Sequence, residues 1–292
     1  MKLTKEKFDQ IKLNNGIIND IKRYADKKFS GVEATVYLNG DLALKEYSLA
    51  GINAYASPVG ENPNEIAEEY NKMLEHYLKT INSLADGENC KINTPHILDY
   101  LVVNNNNNMQ PYLLMERAKG KPLAAMHIET LEEFIPKAKG VWKDYRNLRF
   151  LYYKQIIEEL TDAPDKHYNK FVSDIKTVLM TPQVTLDPFS ENFCYDKNNK
   201  NNGFSLLDLG VCFDDKIIKS RVDIYLEKYL CEYSLRHLED LKLGCSDVVG
   251  EANSRKMLSN CFDKATNALR QNGVSNNEIE LCCLNSNLKT FL

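Results

Sequence analysis

Two short apolar runs, Ala34-Thr-Val-Tyr-Leu38 and Leu42-Ala-Leu-Lys45, flank the pair Asn39-Gly40. Asn-Gly between runs of strand length is a strong hairpin signal, because both residues tolerate the positive φ of a tight turn. Ile66, Tyr70, Met73, Tyr77 and Ile81 then recur at three- and four-residue spacing and predict a helix over 62–84. Two more apolar runs follow, Ile97 to Val103 and Tyr112 to Met115, joined by the asparagine run Asn104 to Asn108. That polar tract reads as a solvated loop between strands. The order hairpin, helix, hairpin makes this an α+β chain with its antiparallel sheet in the first part.

On either side the texture is helical. Phe8, Ile11, Ile17, Ile18, Ile21 and Tyr24 suggest one or two helices, interrupted near Asn14-Asn15-Gly16. Tyr168, Phe171, Ile175, Val178 and Leu179 predict a helix that stops before Thr181-Pro182. Val222, Tyr225, Tyr229 and Tyr233 predict another, and Leu258, Phe262, Ala265 and Leu269 a third that ends at Asn272-Gly273. Between these helices lie Val184 to Asp187, then Asn192 to Tyr195 and Phe204 to Leu207, the last two short strands around the polar turn 196–203. The expected division is a helical extension (1–28), a sheet-bearing part (29–118) and a mainly helical part (119–292).

The 292 residues, 43% of them hydrophobic, can bury one large core or two smaller ones. A formal net charge of -4 argues against an extended nucleic-acid footprint, which demands a basic excess. The eight cysteines are scattered without CxxC spacing and read as reduced thiols of a cytoplasmic protein. No apolar run approaches the roughly 18 residues of a membrane span, and the polar stretch Met1 to Gln10 lacks secretory-signal character.

The most specific feature is Asp187-Pro-Phe-Ser-Glu-Asn192, followed by Phe204-Ser-Leu-Leu-Asp208-Leu-Gly210. Singly, such residues cap turns. In this order and spacing they resemble the catalytic loop and metal-binding segment of the protein-kinase superfamily. The resemblance implies that Asp187 orients or deprotonates the attacking hydroxyl, while Asn192 and Asp208 hold Mg²⁺ or Mn²⁺. The residue types suit that chemistry, since a phosphoryl group in transfer spreads negative charge that hard cations with oxygen ligands neutralise.

Two upstream segments extend the resemblance. Phe29-Ser-Gly31-Val-Glu-Ala34-Thr-Val36 stands where kinases carry a glycine-rich loop, ahead of Lys45 on the next strand. Only Gly31 survives of three glycines; Ala34 is small enough for close backbone approach, whereas Phe29 departs from the pattern. Lys45 sits between apolar neighbours, where a cation needs a partner. The family's partner is a helix glutamate, here Glu69, with Glu65 and Glu68 as alternatives within a turn. Tyr112-Leu-Leu-Met115-Glu116-Arg-Ala118 is similar to the strand and hinge between kinase lobes, which makes Met115 the rear wall of an ATP pocket and places the backbones of Glu116 and Ala118 against adenine.

The resemblance therefore implies a two-lobed fold, a small antiparallel-sheet lobe with one helix and a reduced helical lobe. At the level of pattern the chain resembles the small kinases delivered into host cells by bacterial secretion systems, which share a degenerate glycine loop and a reduced helical lobe. It further implies an ATP-dependent kinase of the Ser/Thr type, a protein substrate with host proteins among the candidates, and an activating partner. Three departures qualify it. Thr185-Leu186 replaces the usual His-Arg, Phe189 replaces a lysine, and no proline follows Pro188, so the Ala-Pro-Glu close of an activation segment is absent. The alternatives are a small-molecule or lipid kinase on the same scaffold, or a non-catalytic or nucleotide-transferring relative.

Overall fold

The computed structural model describes residues 12–31, 34–48, 62–87, 91–105, 108–125, 131, 145–211 and 215–292, with side chains of the last span from 225 onward. The chain divides into two units, Met1–Ala118 with Val211–Phe213, and Lys119–Gly210 with Asp214–Leu292.

In the first unit, helix α1 (Asn15–Arg23) precedes strands β1 (Lys27–Ser30), β2 (Ala34–Asn39) and β3 (Leu42–Tyr47). Helix α2 (Pro63–Asp86) and strands β4 (Ile97–Asn105) and β5 (Asn108–Glu116) follow. The five strands form one sheet in the order β1-β2-β3-β5-β4, with all four neighbouring pairs antiparallel.

The Asn14-Asn15-Gly16 interruption is a helix start: the Asn14 side chain accepts from the Ile17 amide at 3.1 Å and caps α1. The expected helical stretch through Phe8 and Ile11 lies outside the described residues. Ile18 and Ile21 of α1 pack against Tyr37, Leu42, Leu44, Tyr112 and Leu114, all on one sheet face by the period-two alternation of strands. Truncating fully buried Ile21 to Ala would cost about 2–5 kcal/mol. Lys22 also reaches the sheet, donating to Glu46 at 2.7 Å, and Glu46 accepts from the hydroxyls of Tyr37 (2.9 Å) and Tyr112 (2.8 Å). These bonds outweigh the burial of Glu46 and hold its carboxyl below the usual range.

The first hairpin differs from its sequence reading by one position. Asn39 pairs with Leu42, so the two loop residues are Gly40 and Asp41. Gly40 takes φ +60, and its amide donates to Asp26 at 2.9 Å. The second hairpin runs further than expected: Asn104 pairs with Met109 and Asn105 with Asn108, so three of the five asparagines are strand. A ladder end in solvent needs backbone pairing and no apolar side chains. The expected helix over 62–84 is present as α2, capped by Asn62 and burying Tyr70, Met73 and Ile81.

The second unit carries β6 (Lys121–Pro122), α3 (Tyr145–Thr161), α4 (Asp165–Met180), β7 (Val184–Leu186), a 3-10 turn at Ser190–Asn192, β8 (Phe193–Tyr195), β9 (Phe204–Leu206) and β10 (Leu209–Val211). Helices α5 (Asp215–Val249), α6 (Glu251–Gln271) and α7 (Asn276–Leu284) complete it. Strands β6, β8 and β9 form one small sheet, and β7 pairs with β10. Helix α5 packs on α3, α4 and α6.

The expected faces of α4 and α6 are buried, including Tyr168, Phe171, Ile175, Leu258, Ala265 and Leu269. The ring of Phe171 stacks on Phe204 at 4.4 Å and meets Phe193 edge-on at 5.3 Å, which ties α4 to the β8–β9 hairpin. The tyrosine stripe of α5 is not its buried face. Tyr225 is 50% exposed, Tyr229 and Tyr233 are half-buried, and the side chain of Val222 lies outside the described residues. Core contact is made instead by Leu230, Ser234, Leu238, Leu241 and Cys245, a neighbouring stripe of the same helical period.

Candidate active site

Strand β7 ends in buried Leu186, and the next residue, Asp187, is exposed. The Phe189 amide turns back toward Asp187 Oδ1 at 3.4 Å, and the Asn192 amide donates to the Phe189 carbonyl at 2.9 Å to close the 3-10 turn. Inside that turn Ser190 is buried, with its hydroxyl donating to Asp240 of α5 at 2.5 Å.

The hairpin explains how Asn192 and Asp208, far apart in sequence, become neighbours. Phe193 pairs with Leu206 and Tyr195 with Phe204. The polar turn between the strands is built by asparagine and aspartate side chains that accept local amides, such as Asp196 from Asn198 at 2.9 Å and Asn199 from Asn201 at 3.1 Å. One step below the first strand pair, the Leu207 amide donates to the Asn192 carbonyl at 2.8 Å. Asp208 is the next residue, half-buried between Leu206 and Leu209, both about 1% exposed. The pairing of β7 with β10 puts Asp187, which follows β7, and Asp208, which precedes β10, at the ends of one strand pair.

Among the described residues no group of three or more His, Cys, Asp or Glu side chains could hold a metal ion. Asn192 and Asp208 nonetheless fit Mg²⁺ or Mn²⁺ as donors. Magnesium keeps several waters and takes one or two protein oxygens plus substrate phosphates, so a carboxylate and an amide oxygen are a sufficient protein share.

In the first unit, the register groups the other expected residues. Val36 faces Lys45, Lys45 faces Leu113, Ala43 faces Met115 and Ala34 faces Tyr47, so Ala34, Val36, Lys45 and Met115 share the sheet face opposite α1. Lys45 is 6% exposed, with Nζ 4.9 Å from the centre of the Tyr47 ring. Ala43, paired with Met115 on this face, is a position the sequence reading passed over. Its signal was a small residue two places before the lysine, in strand phase with it. Gly31 follows β1, and its amide donates to the Ala34 carbonyl at 2.9 Å; Val32 and Glu33 lie outside the described residues.

Of the three candidate glutamates, Glu65 and Glu68 are exposed, and Glu68 forms a solvated pair with Lys72 at 3.1 Å. Glu69 is half-buried beside Tyr70, where its carboxylate adds to burial in raising the tyrosine hydroxyl above its usual range. At the end of β5 the Glu116 amide is taken by the His96 carbonyl (2.9 Å) and the Arg117 amide by Asp41 (2.8 Å). The Glu116 amide is therefore engaged within the sheet, with Ala118 two residues beyond.

No protein-family model matches the chain, and no curated protein is similar to it. Among solved structures, a crystal structure of WbdD is similar at 12% identity, with a TM-score of 0.37 over 89% of this chain and 50% of that one. A co-crystal structure of WbdD with a kinase inhibitor is similar at 12% identity, with a TM-score of 0.34 over 83% of this chain and 45% of that one. This chain spans about half the length of the WbdD chains.

Proposed function

We propose that the chain is an ATP- and metal-dependent phosphotransferase of the protein-kinase type, acting on the hydroxyl of a serine or threonine in a protein substrate. The observation that carries this reading is the Leu207–Asn192 bond, which seats Asn192 beside Asp208 at the foot of a hairpin whose preceding loop presents exposed Asp187.

The residue roles proposed are those that the kinase resemblance implies. Asp187, a carboxylate in solvent at the end of a buried strand, accepts and orients the attacking hydroxyl. Asn192 and Asp208 hold the divalent cation through an amide and a carboxylate oxygen; when bound, the cation supplies charge neutralisation of the phosphate oxygens. On the sheet, Lys45 binds ATP phosphates with Glu69 as its orienting partner. Ala34, Val36, Ala43 and Met115 give adenine an apolar face. The surviving Gly31 allows the backbone close to phosphate.

A second reading, a small-molecule or lipid acceptor, is favoured by Phe189, which is 52% exposed two residues after Asp187 where protein kinases carry a lysine. Incubation with γ-labelled and α-labelled ATP and a cell lysate separates the cases. γ-Label on protein is the expected result. γ-Label on small molecules or lipid supports the second reading, α-label on protein indicates nucleotide transfer, and label nowhere overturns both phosphotransfer readings.

A further inference from the structure

In the loop that runs from Asp187 to Asn192, Asp187 and Phe189 are exposed while Ser190 is only 1% exposed. A buried hydroxyl is costly without a partner. Here the partner is Asp240 on α5, whose Oδ2 accepts from Ser190 Oγ at 2.5 Å. The other oxygen of Asp240 lies 3.8 Å from Arg236 Nε, one turn earlier on the same helix. Arg236 in turn donates to Glu239 Oε2 at 3.1 Å, and Glu239 Oε1 accepts the Asn287 amide at 3.0 Å. The carboxylate that grips the loop thus has a guanidinium 3.8 Å from its other oxygen, itself hydrogen-bonded to Glu239.

Helix α5 also contacts the 3-10 turn of the loop directly. The Tyr233 hydroxyl is raised above its usual range by burial, then by Tyr229, Glu232 and the carboxylate of Asp187. The 3-10 turn of the loop thus packs on α5, with Ser190 at Asp240. Ser190 is too deeply buried to be a phosphate acceptor itself.

We propose that Asp240 is a positioning residue of the phosphotransfer centre, tethering the 187–192 loop through Ser190 so that Asp187 and Asn192 keep their places. The inference rests on the reading of this loop as catalytic. It gives α5, otherwise a packing helix, a direct part in the geometry of the reaction.

The test uses Ser190→Ala, Ser190→Thr and Asp240→Asn in the full chain, with two readouts. Hydrogen exchange of the backbone amides over 187–193, measured without substrate, should quicken in Ser190→Ala and Asp240→Asn and return toward the parent in Ser190→Thr. In kinetics the same two variants should lose roughly 10- to 100-fold in kcat, the scale of a misplacement near 1 Å, with KM for ATP changed by less than about threefold. Loop exchange and kcat equal to the parent in Ser190→Ala overturn the tether. So does a loss of kcat that Ser190→Thr fails to rescue and that comes with faster exchange throughout the unit, since that is a folding defect. A parent chain without phosphotransfer activity strikes only the proposed function, and the exchange comparison still decides the tether.

Discussion

The Leu207 amide donates to the Asn192 carbonyl at 2.8 Å, which places Asp208 one residue from a main-chain bond to its proposed co-ligand. Backbone pairing holds the two residues close together whether or not a cation is bound. Asp208→Ala removes the carboxylate and leaves the β8–β9 register intact. The expected result is loss of the Mg²⁺-dependent part of the thermal shift produced by ATP, with the ATP-only shift retained. An ATP·Mg response equal to the parent's would remove Asp208 from the metal site.

Asp187 is exposed, and its neighbours Leu186 and Ser190 provide the burial in this stretch. Asp187→Ala should therefore leave stability within about 0.5 kcal/mol of the parent, as for surface substitutions generally. Binding of ATP·Mg should persist while turnover falls by about 10²–10⁴, the usual span for a general base. Calorimetric titration and single-turnover kinetics on the same preparation check both halves. Undiminished turnover would exclude Asp187 as base.

Lys45 is nearly inaccessible on the sheet face it shares with Val36 and Met115. Lys45→Met keeps most of the buried stem and removes the charge, which separates packing from phosphate binding. A hydrogen bond to a charged group contributes about 1.5–3 kcal/mol, so affinity for ATP, measured by calorimetric titration, should fall by about 10- to 100-fold. Unaltered ATP affinity would leave Lys45 as a structural cation beside Tyr47.

The elements legible in the sequence were those whose signal is local. Asn39-Gly40 announced a hairpin, the Ile66 to Ile81 spacing announced α2, and Asn272-Gly273 marked the end of α6, where Gly273 takes φ +92. Errors arose where a pattern served two purposes. The Tyr225, Tyr229 and Tyr233 stripe has helical period, but an aliphatic stripe beside it takes the core. The asparagine run looked like loop because its side chains are polar, whereas pairing in a ladder is a property of the backbone. Asp240 was invisible for another reason: its partner Ser190 is fifty residues away, and no spacing rule links a helix carboxylate to a loop hydroxyl.

His237 gives the second unit a pH dependence of definite sign. It is fully buried on α5, edge-on to Phe171 at 5.7 Å and to Phe204 at 6.2 Å, and neither ring nitrogen has a well-formed hydrogen-bond partner among the described residues. Burial pushes its pKa from 6.5 down to about 3, against a weaker opposing pull from the Ser234 backbone. The unfolded chain takes up this proton below pH 6.5 and the folded chain does not until near pH 3. The unfolded state thus binds more protons in that window, so stability is full above pH 6.5 and declines as pH falls toward 3. A single proton gives a slope of about 1.4 kcal/mol per pH unit. His237→Leu keeps the site apolar and deletes the titration, so the urea midpoint should fall less steeply between pH 6.5 and pH 4 than in the parent, while at pH 7.5 the variant is close to parent. Parallel pH profiles for the two proteins would mean that His237 is already paired or protonated in the folded chain.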